Sequence, residues 1–393
     1  MTDTTLLSER VTSAEAQESD TTTSLTKTFD PELRVAVVHD YLTQRGGAER
    51  VVLSMLKAFP GAPLHTSLYH PAGTFPEFEH ASVSTFNLDR SSVLRKHHRL
   101  ALPFLASSFG RHHVEADVVI CSSSGWAHGT AVSGRKIVYC YSPARWLYDG
   151  QRYLGRRHGA LSRIAAGIRP PLMRWDQRAA ASADRYLTLS SAVKEKIKAI
   201  YGIDAEVLHP PPTLTSFGPR TAVSGLDSGF FLCVSRLLPY KNVDAIVDAF
   251  TSIPQEQLVV VGAGPERGRI ESLGVPNVRF LGSVSDSQLR WLYAASVGVV
   301  AASYEDYGLT PLEGAAFGKP AVVLRKGGFL ETVVERRTGI FFDEPDPHQI
   351  AQALRTALDA EWPAAELHDH ARAFSEESFV RRLREITAEE AVR

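Results

Sequence analysis

Two carboxylates eight residues apart, Glu305 and Glu313, lie in the segment EDYGLTPLEG (305–314). The segment follows an apolar run and opens a helical one, so Thr310 suits the N-cap and Pro311 the first helical position. A helix start attracts anions, because its first backbone N–H groups lack partners and the dipole favours negative charge. A phosphate here would meet the amides of Leu309 and Thr310, and Gly308 permits a close approach. Each carboxylate can accept a pair of sugar hydroxyls. The plainer reading of 310–313 is a capping box, with Glu313 bonding back to the cap residue. Glu305 has no such structural reason to be present.

Cations stand upstream. In SRLLPYKN (235–242), a strand ends near Val234 and leaves Ser235, Arg236 and Lys241 in the loop beyond it. In an open α/β sheet, ligands bind outside the carboxyl ends of strands. Arg236 and Lys241 therefore share a sheet edge with the two glutamates and can hold a diphosphate. VGAGPE (261–266) brings Gly262 and Gly264. As a dinucleotide fingerprint it is broken, with Pro265 in the turn and Arg267 where the third glycine belongs. YLTQRGGAER (41–50) places Arg45, Gly46 and Gly47 at another strand-to-helix turn, which a simple tight turn would also explain. YCYSPARWLYD (139–149) holds Tyr141 and Arg145; core packing is the plain alternative for Tyr141. Residues 90–113 gather Arg95, Lys96, Arg99, Arg111 and four histidines around LALPFLASSF. A solvated helix face is the bland reading, and an acceptor or anionic-lipid surface the sharper one.

These residues need two sheets to position them. Short apolar runs alternate with amphipathic stretches, predicting parallel strands at 34–40, 117–121, 136–139 and 185–189. Three consecutive prolines, Pro210–Pro212, and the polar stretch after them read as a linker. The alternation then restarts, with strands at 230–234, 258–261, 278–281, 297–301, 321–324 and 340–342. Helices fall at 242–250, 265–273, 286–294 and 310–317, and a last one at 376–391. The expected organisation is a disordered tail (1–30), a Rossmann-like acceptor domain (31–213), a Rossmann-like donor domain (214–373) and a C-terminal helix (374–393) crossing back to the first domain.

Bulk properties narrow the classes. At roughly 100–200 residues per domain, 393 residues suggest two. The net charge of -1 argues against a nucleic-acid binder. Its distribution is uneven: residues 31–213 hold 23 basic and 14 acidic side chains, and residues 214–393 hold 18 and 24, so the halves meet different partners. Cys121, Cys140 and Cys233 end or sit in apolar runs without a CxxC pair, which reads as buried thiols in a reducing compartment. Residues 1–30 lack the apolar core of a signal peptide, and no run reaches the 18 apolar residues of a membrane span. A cytoplasmic protein is expected.

SRLLPYKN and EDYGLTPLEG together resemble the retaining glycosyltransferases of family four, which have the GT-B fold. The resemblance spans about residues 32–384. It implies that Glu313 binds the donor ribose, Glu305 the donor sugar, and Arg236 and Lys241 the pyrophosphate. It brings Gly262, Gly264 and Tyr307 near the donor, sets Val284 beside the nucleobase, gives Gly47 a phosphate contact, and places Arg45, Gly46, Tyr141 and Arg145 by the acceptor. YCYSPARWLYD is similar to a mannosyltransferase segment that carries histidine where this chain has Tyr141. The implied reaction moves mannose from GDP-mannose to a hydroxyl of a saccharide or glycolipid, with retention and no covalent enzyme intermediate. No cofactor or metal is implied beyond the nucleotide-sugar; there is no D-x-D motif. The alternatives are a UDP-sugar donor and, in another class, a catalytically impaired nucleotide-sugar-binding protein.

Overall fold

The computed structural model describes residues 32–148 and 160–393. The 1–30 tail expected from composition lies outside these residues, as does Asp149.

Two parallel sheets organise the chain. The first contains β1 (Val35–His39), β2 (Leu64–Thr66), β3 (Val83–Thr85), β4 (Val118–Ser123), β5 (Arg135–Cys140), β6 (Arg185–Thr188) and β7 (Glu206–Val207), in the order β3-β2-β1-β4-β5-β6-β7. The second contains β8 (Phe231–Val234), β9 (Leu258–Val261), β10 (Val278–Gly282), β11 (Gly298–Ala301), β12 (Ala321–Leu324) and β13 (Gly339–Phe342), in the order β10-β9-β8-β11-β12-β13. Both follow the doubly wound pattern, in which strand order reverses beside the first strand and opens a crevice there. The reversal falls between β1 and β4 in one sheet and between β8 and β11 in the other.

The strands are apolar on both faces because helices cover both faces. In the second sheet Phe231, Cys233, Val260 and Val322 pack to one side. Their chain neighbours Phe230, Leu232, Val259 and Val323 pack to the other. The three cysteines are buried free thiols. Among the described residues, 208–230 form no helix or strand.

The helices that matter below are α1 (Gly47–Ala58), α2 (Ser92–Lys96), α3 (Leu102–Arg111), α4 (Ala160–Ala181), α5 (Ser191–Tyr201), α6 (Leu309–Ala316) and α7 (Glu376–Ala391). The last returns to the first sheet. Its buried face carries Phe379, Leu383 and Ile386, and it packs on α1, β4 and β5. Polar contacts fasten it: Ser54 and Lys57 both donate to Glu376 at 2.6 Å, Arg384 donates to the Ala58 carbonyl at 2.7 Å, and Arg135 pairs with the fully buried Glu390.

Candidate active site

The loops after β8, β9 and β10 enclose a cleft of about 470 Å³ at the carboxyl edge of the second sheet. It is lined by Ser235, Arg236, Lys241, Gly262 and Ser283, with Val234, Val261 and Ala263. Neighbouring loops lock each other by backbone bonds. The Ser235 amide donates to the Val261 carbonyl (2.9 Å), Leu237 to Ala263 (3.0 Å) and Gly262 to Gly282 (2.8 Å). This explains the glycines. A Cβ on Gly262 would stand 1.9 Å from the Ser235 carbonyl oxygen, and one on Gly264 2.1 Å from that of Leu237. Gly262 also has φ +132, a conformation that side chains avoid.

Lys241 reaches across the strand reversal. Its ammonium donates to Glu305, which lies beyond β11, and Ser303 Oγ donates to the same carboxylate oxygen at 2.5 Å. Lys241 is held there by its neighbour: Asn242 takes a left-handed conformation (φ 49) and its side chain donates to the Ala302 carbonyl at 2.8 Å. Arg236 is exposed in the cleft, with its guanidinium 3.2 Å from the Tyr240 hydroxyl. Arg236 and Lys241 thus line one cleft, and Lys241 carries its charge across the strand reversal to Glu305. Sequence reading missed Asn242, which adjoins Lys241, and Ser303, two residues before Glu305, and it passed over Ser283.

The structure corrects several expectations. Helix α6 begins at Leu309 with Gly308 (φ 96) as its N-cap, so Thr310 is not the cap and Pro311 is not the first helical residue. A Cβ on Gly308 would clash with Phe329 at 2.5 Å. The capping box does not form. Glu313 is 6% exposed, and three donors fill its carboxylate: Thr213 Oγ1 at 2.7 Å, the Leu214 amide at 3.3 Å and Tyr293 OH at 2.6 Å. Glu313 therefore ties the inter-sheet segment to α6, with Oε1 taken by Thr213 and Leu214 and Oε2 accepting from Tyr293 alone. Burial raises its carboxyl above the ordinary range, against the pull of those donors.

Tyr307 also turns inward. It donates to the Pro210 carbonyl at 2.9 Å and stacks on His209 (centroids 5.6 Å, interplanar 15°). Val284 packs against the core cluster, and Ser283 takes the cleft position. Tyr141 is buried beneath α1, with its hydroxyl 3.1 Å from the Ala48 carbonyl and 2.9 Å from Ser122 Oγ. Burial pushes its phenol well above its usual range, so it is neither a base nor a free donor to an acceptor. Arg145 pairs with Asp306 from the opposite sheet, and Lys196 of α5 holds the other oxygen of Asp306 at 2.6 Å. Arg45 is half engaged, donating to the Thr74 carbonyl at 2.9 Å.

Gly46 caps α1 in an extended conformation, and a Cβ there would stand 2.5 Å from Glu49 Oε2. At Gly47 a Cβ would meet nothing within 4 Å. Glu49 is the missed residue on this side. It is 1% exposed, with one oxygen unpartnered and the other 4.0 Å from His39 Nε2. Among the described residues no three His, Cys, Asp or Glu side chains converge as a metal site. A second hollow, of about 480 Å³, lies at the opposite edge of the first sheet. Its four charged residues are each paired, Arg185 with Glu206 at 2.5 Å, Asp184 with Arg135 at 2.9 Å and Asp204 with Lys194 at 3.1 Å, so it gathers no free chemistry.

Comparison with known proteins places this geometry. The chain superposes on Anabaena Alr3699/HepE, solved in complex with UDP, with a TM-score of 0.65 and 17% identity, covering 91% of this chain and all of that one. Sucrose-phosphate synthase from Thermosynechococcus elongatus gives the same score at 18% identity, covering 91% and 98%. The fold is GT-B. Within this GT-B chain, residues 221–378 match the family model described as glycosyl transferases group 1. That segment contains the cleft, Lys241 and Glu305. Among curated relatives, the chain is similar to D-rhamnosyltransferase WbpZ of Pseudomonas aeruginosa, 30% identical over 216 residues, half of this chain and 54% of that protein. It is also similar to a D-inositol 3-phosphate glycosyltransferase of Corynebacterium glutamicum, 33% identical over 162 residues, 36% of this chain and 39% of that protein. The chain thus spans about half the length or less of these relatives.

Proposed function

We propose that this protein is a retaining glycosyltransferase that moves a hexose from a nucleotide-sugar to a hydroxyl of a saccharide or glycolipid. The observation that carries the reading is the Lys241–Glu305 pair at the strand reversal, with Lys241 and Arg236 lining one cleft walled by Gly262 and Ser283. Breaking the anomeric bond moves negative charge onto the leaving diphosphate. Fixed cations stabilise that charge as it grows, and the site needs no metal to do so. Glu305, steered by Lys241 and Ser303, accepts hydrogen bonds from the donor sugar. Among the described residues no nucleophile besides the engaged Glu305 is held at the cleft for a covalent intermediate, so the acceptor attacks from the leaving-group face and the departing phosphate takes its proton.

The donor we propose is GDP-mannose, on the likeness of residues 139–149 to mannosyltransferases. A UDP-sugar is the second reading, favoured by the solved Anabaena relative, whose complexes hold UDP and UDP-glucose. Thermal shift separates them, since a ligand at a hundredfold excess over its Kd stabilises the fold by about 2.7 kcal/mol. A shift with GDP and none with UDP supports mannose; the reverse rejects it. Arg236→Ala and Lys241→Ala should each lower kcat by about 10²–10³, measured as nucleotide release. Near-normal turnover in both would remove the diphosphate assignment.

A further inference from the structure

The basic segment before the first-sheet crevice is not consumed by the site. Between residues 90 and 114 the sequence holds five cations (Arg90, Arg95, Lys96, Arg99 and Arg111) and no Asp or Glu. The structure folds this stretch as α2, a 3-10 turn (His98–Ala101) and α3. Leu105, Ala106 and Phe109 of α3 face the core, and Phe86 meets Phe109 edge-on at 4.9 Å. The opposite side of α3 therefore presents Phe104, Ser107 and Arg111 outward.

Three large apolar side chains stand open along this stretch: Val93 at 56% exposure, Leu100 at 56% and Phe104 at 55%. Exposed cations flank them, Arg90 and Lys96 around α2 and Arg111 at the end of α3. Arg95 is partly spent, 3.9 Å from Asp89. Single exposed apolar residues are ordinary, but three in twelve residues among uncompensated cations form a composite surface. Apolar side chains that enter the acyl boundary while cations meet headgroups fit an anionic bilayer.

We infer that the α2–α3 segment seats this protein on the surface of an anionic lipid bilayer. Its position gives the contact a use. His98 stacks on Tyr41 (centroids 4.7 Å, interplanar 16°), and its Nδ1 lies 3.1 Å from Thr43 Oγ1. The seat is thus braced directly against the loop that carries Arg45 and Gly46 to the start of α1. The inference does not depend on the transfer reaction, because its readout is lipid binding alone.

The test is co-sedimentation of the full chain with vesicles of phosphatidylcholine containing phosphatidylglycerol, and with phosphatidylcholine alone. The expected result is binding to the anionic vesicles only. The pair Leu100→Ser/Phe104→Ser should weaken it about tenfold or more by removing insertion. The pair Lys96→Glu/Arg111→Glu should do the same by reversing charge. All four positions are exposed, and circular dichroism checks that each variant is folded. Wild-type protein left in the supernatant overturns the inference. So does unchanged binding by the serine pair, which would reduce the surface to a polyanion contact. A wild-type dimer in sedimentation equilibrium that Phe104→Ser converts to monomer would assign the face to a second copy instead.

Discussion

Glu313 and Gly47 show how single positions separate folding from binding. Glu313 keeps a carboxylate in a buried site, and burial raises its folded pKa above the usual 4.5. A group shifted this way stabilises the fold fully below its unfolded pKa and loses that contribution as pH rises through the folded value. Glu313→Gln removes the dependence. We expect the variant to melt above wild type at pH 8, measured by thermal denaturation across a pH series. The gap should close as pH falls toward 4.5. Wild type melting higher at pH 8 would mean that the bonds from Tyr293 and Thr213 outweigh burial. Gly47 poses the opposite case, since no protein atom forbids a side chain there. Gly47→Ala should leave stability within about 0.5 kcal/mol yet raise the donor KM about tenfold, because only a ligand requires the space. A normal KM would detach Gly47 from the phosphate.

Between elements, the decisive contact is the one made by Asp306. It follows Glu305 in the chain and accepts from Arg145, beyond β5, and from Lys196 on α5. The adjacent Ser190 hydroxyl donates to the Asp306 carbonyl, and the Ser191 amide to Glu331 at 2.7 Å. The carboxyl edges of β5 and β6 therefore meet the loop after β11 mainly through one aspartate, with Glu331 beside it. A double-mutant cycle of Asp306→Asn and Lys196→Met on nucleotide affinity should give a coupling of about 1 kcal/mol, the upper range for a partly exposed pair. Additive effects would show that the junction does not communicate with the cleft. Arg145 was chosen from sequence for an acceptor, and its place in this junction could not have been read there. The partner is 161 residues away, and no spacing rule links them.

At the scale of the molecule, the strands buried on both faces were legible, because a continuous apolar run has one stable use in a parallel sheet. All ten predicted strands form, most within a residue of their expected ends. The short strands β2, β3 and β7 were not seen, being two or three residues long with little apolar pattern. Helix α4 was missed because Pro170 and Pro171 lie inside it, where proline normally ends a helix. In the site, Arg236, Lys241, Glu305 and Glu313 came from sheet-edge logic; Arg236 and Lys241 share a cleft and Lys241 pairs with Glu305, while Glu313 turns inward. Tyr307 and Tyr141 came from the family motif, and neither edge nor motif position says which way a side chain turns. Helix α7 adds a matter of timing. It was predicted from its own amphipathic pattern, but it completes the face of a sheet whose last strand ended at Val207. At about 5–20 residues per second, a ribosome needs roughly 10–40 s to make the intervening chain. For that interval the nascent first half carries an uncovered apolar surface on α1 and β5, so its early life depends on whatever shields that surface before α7 emerges.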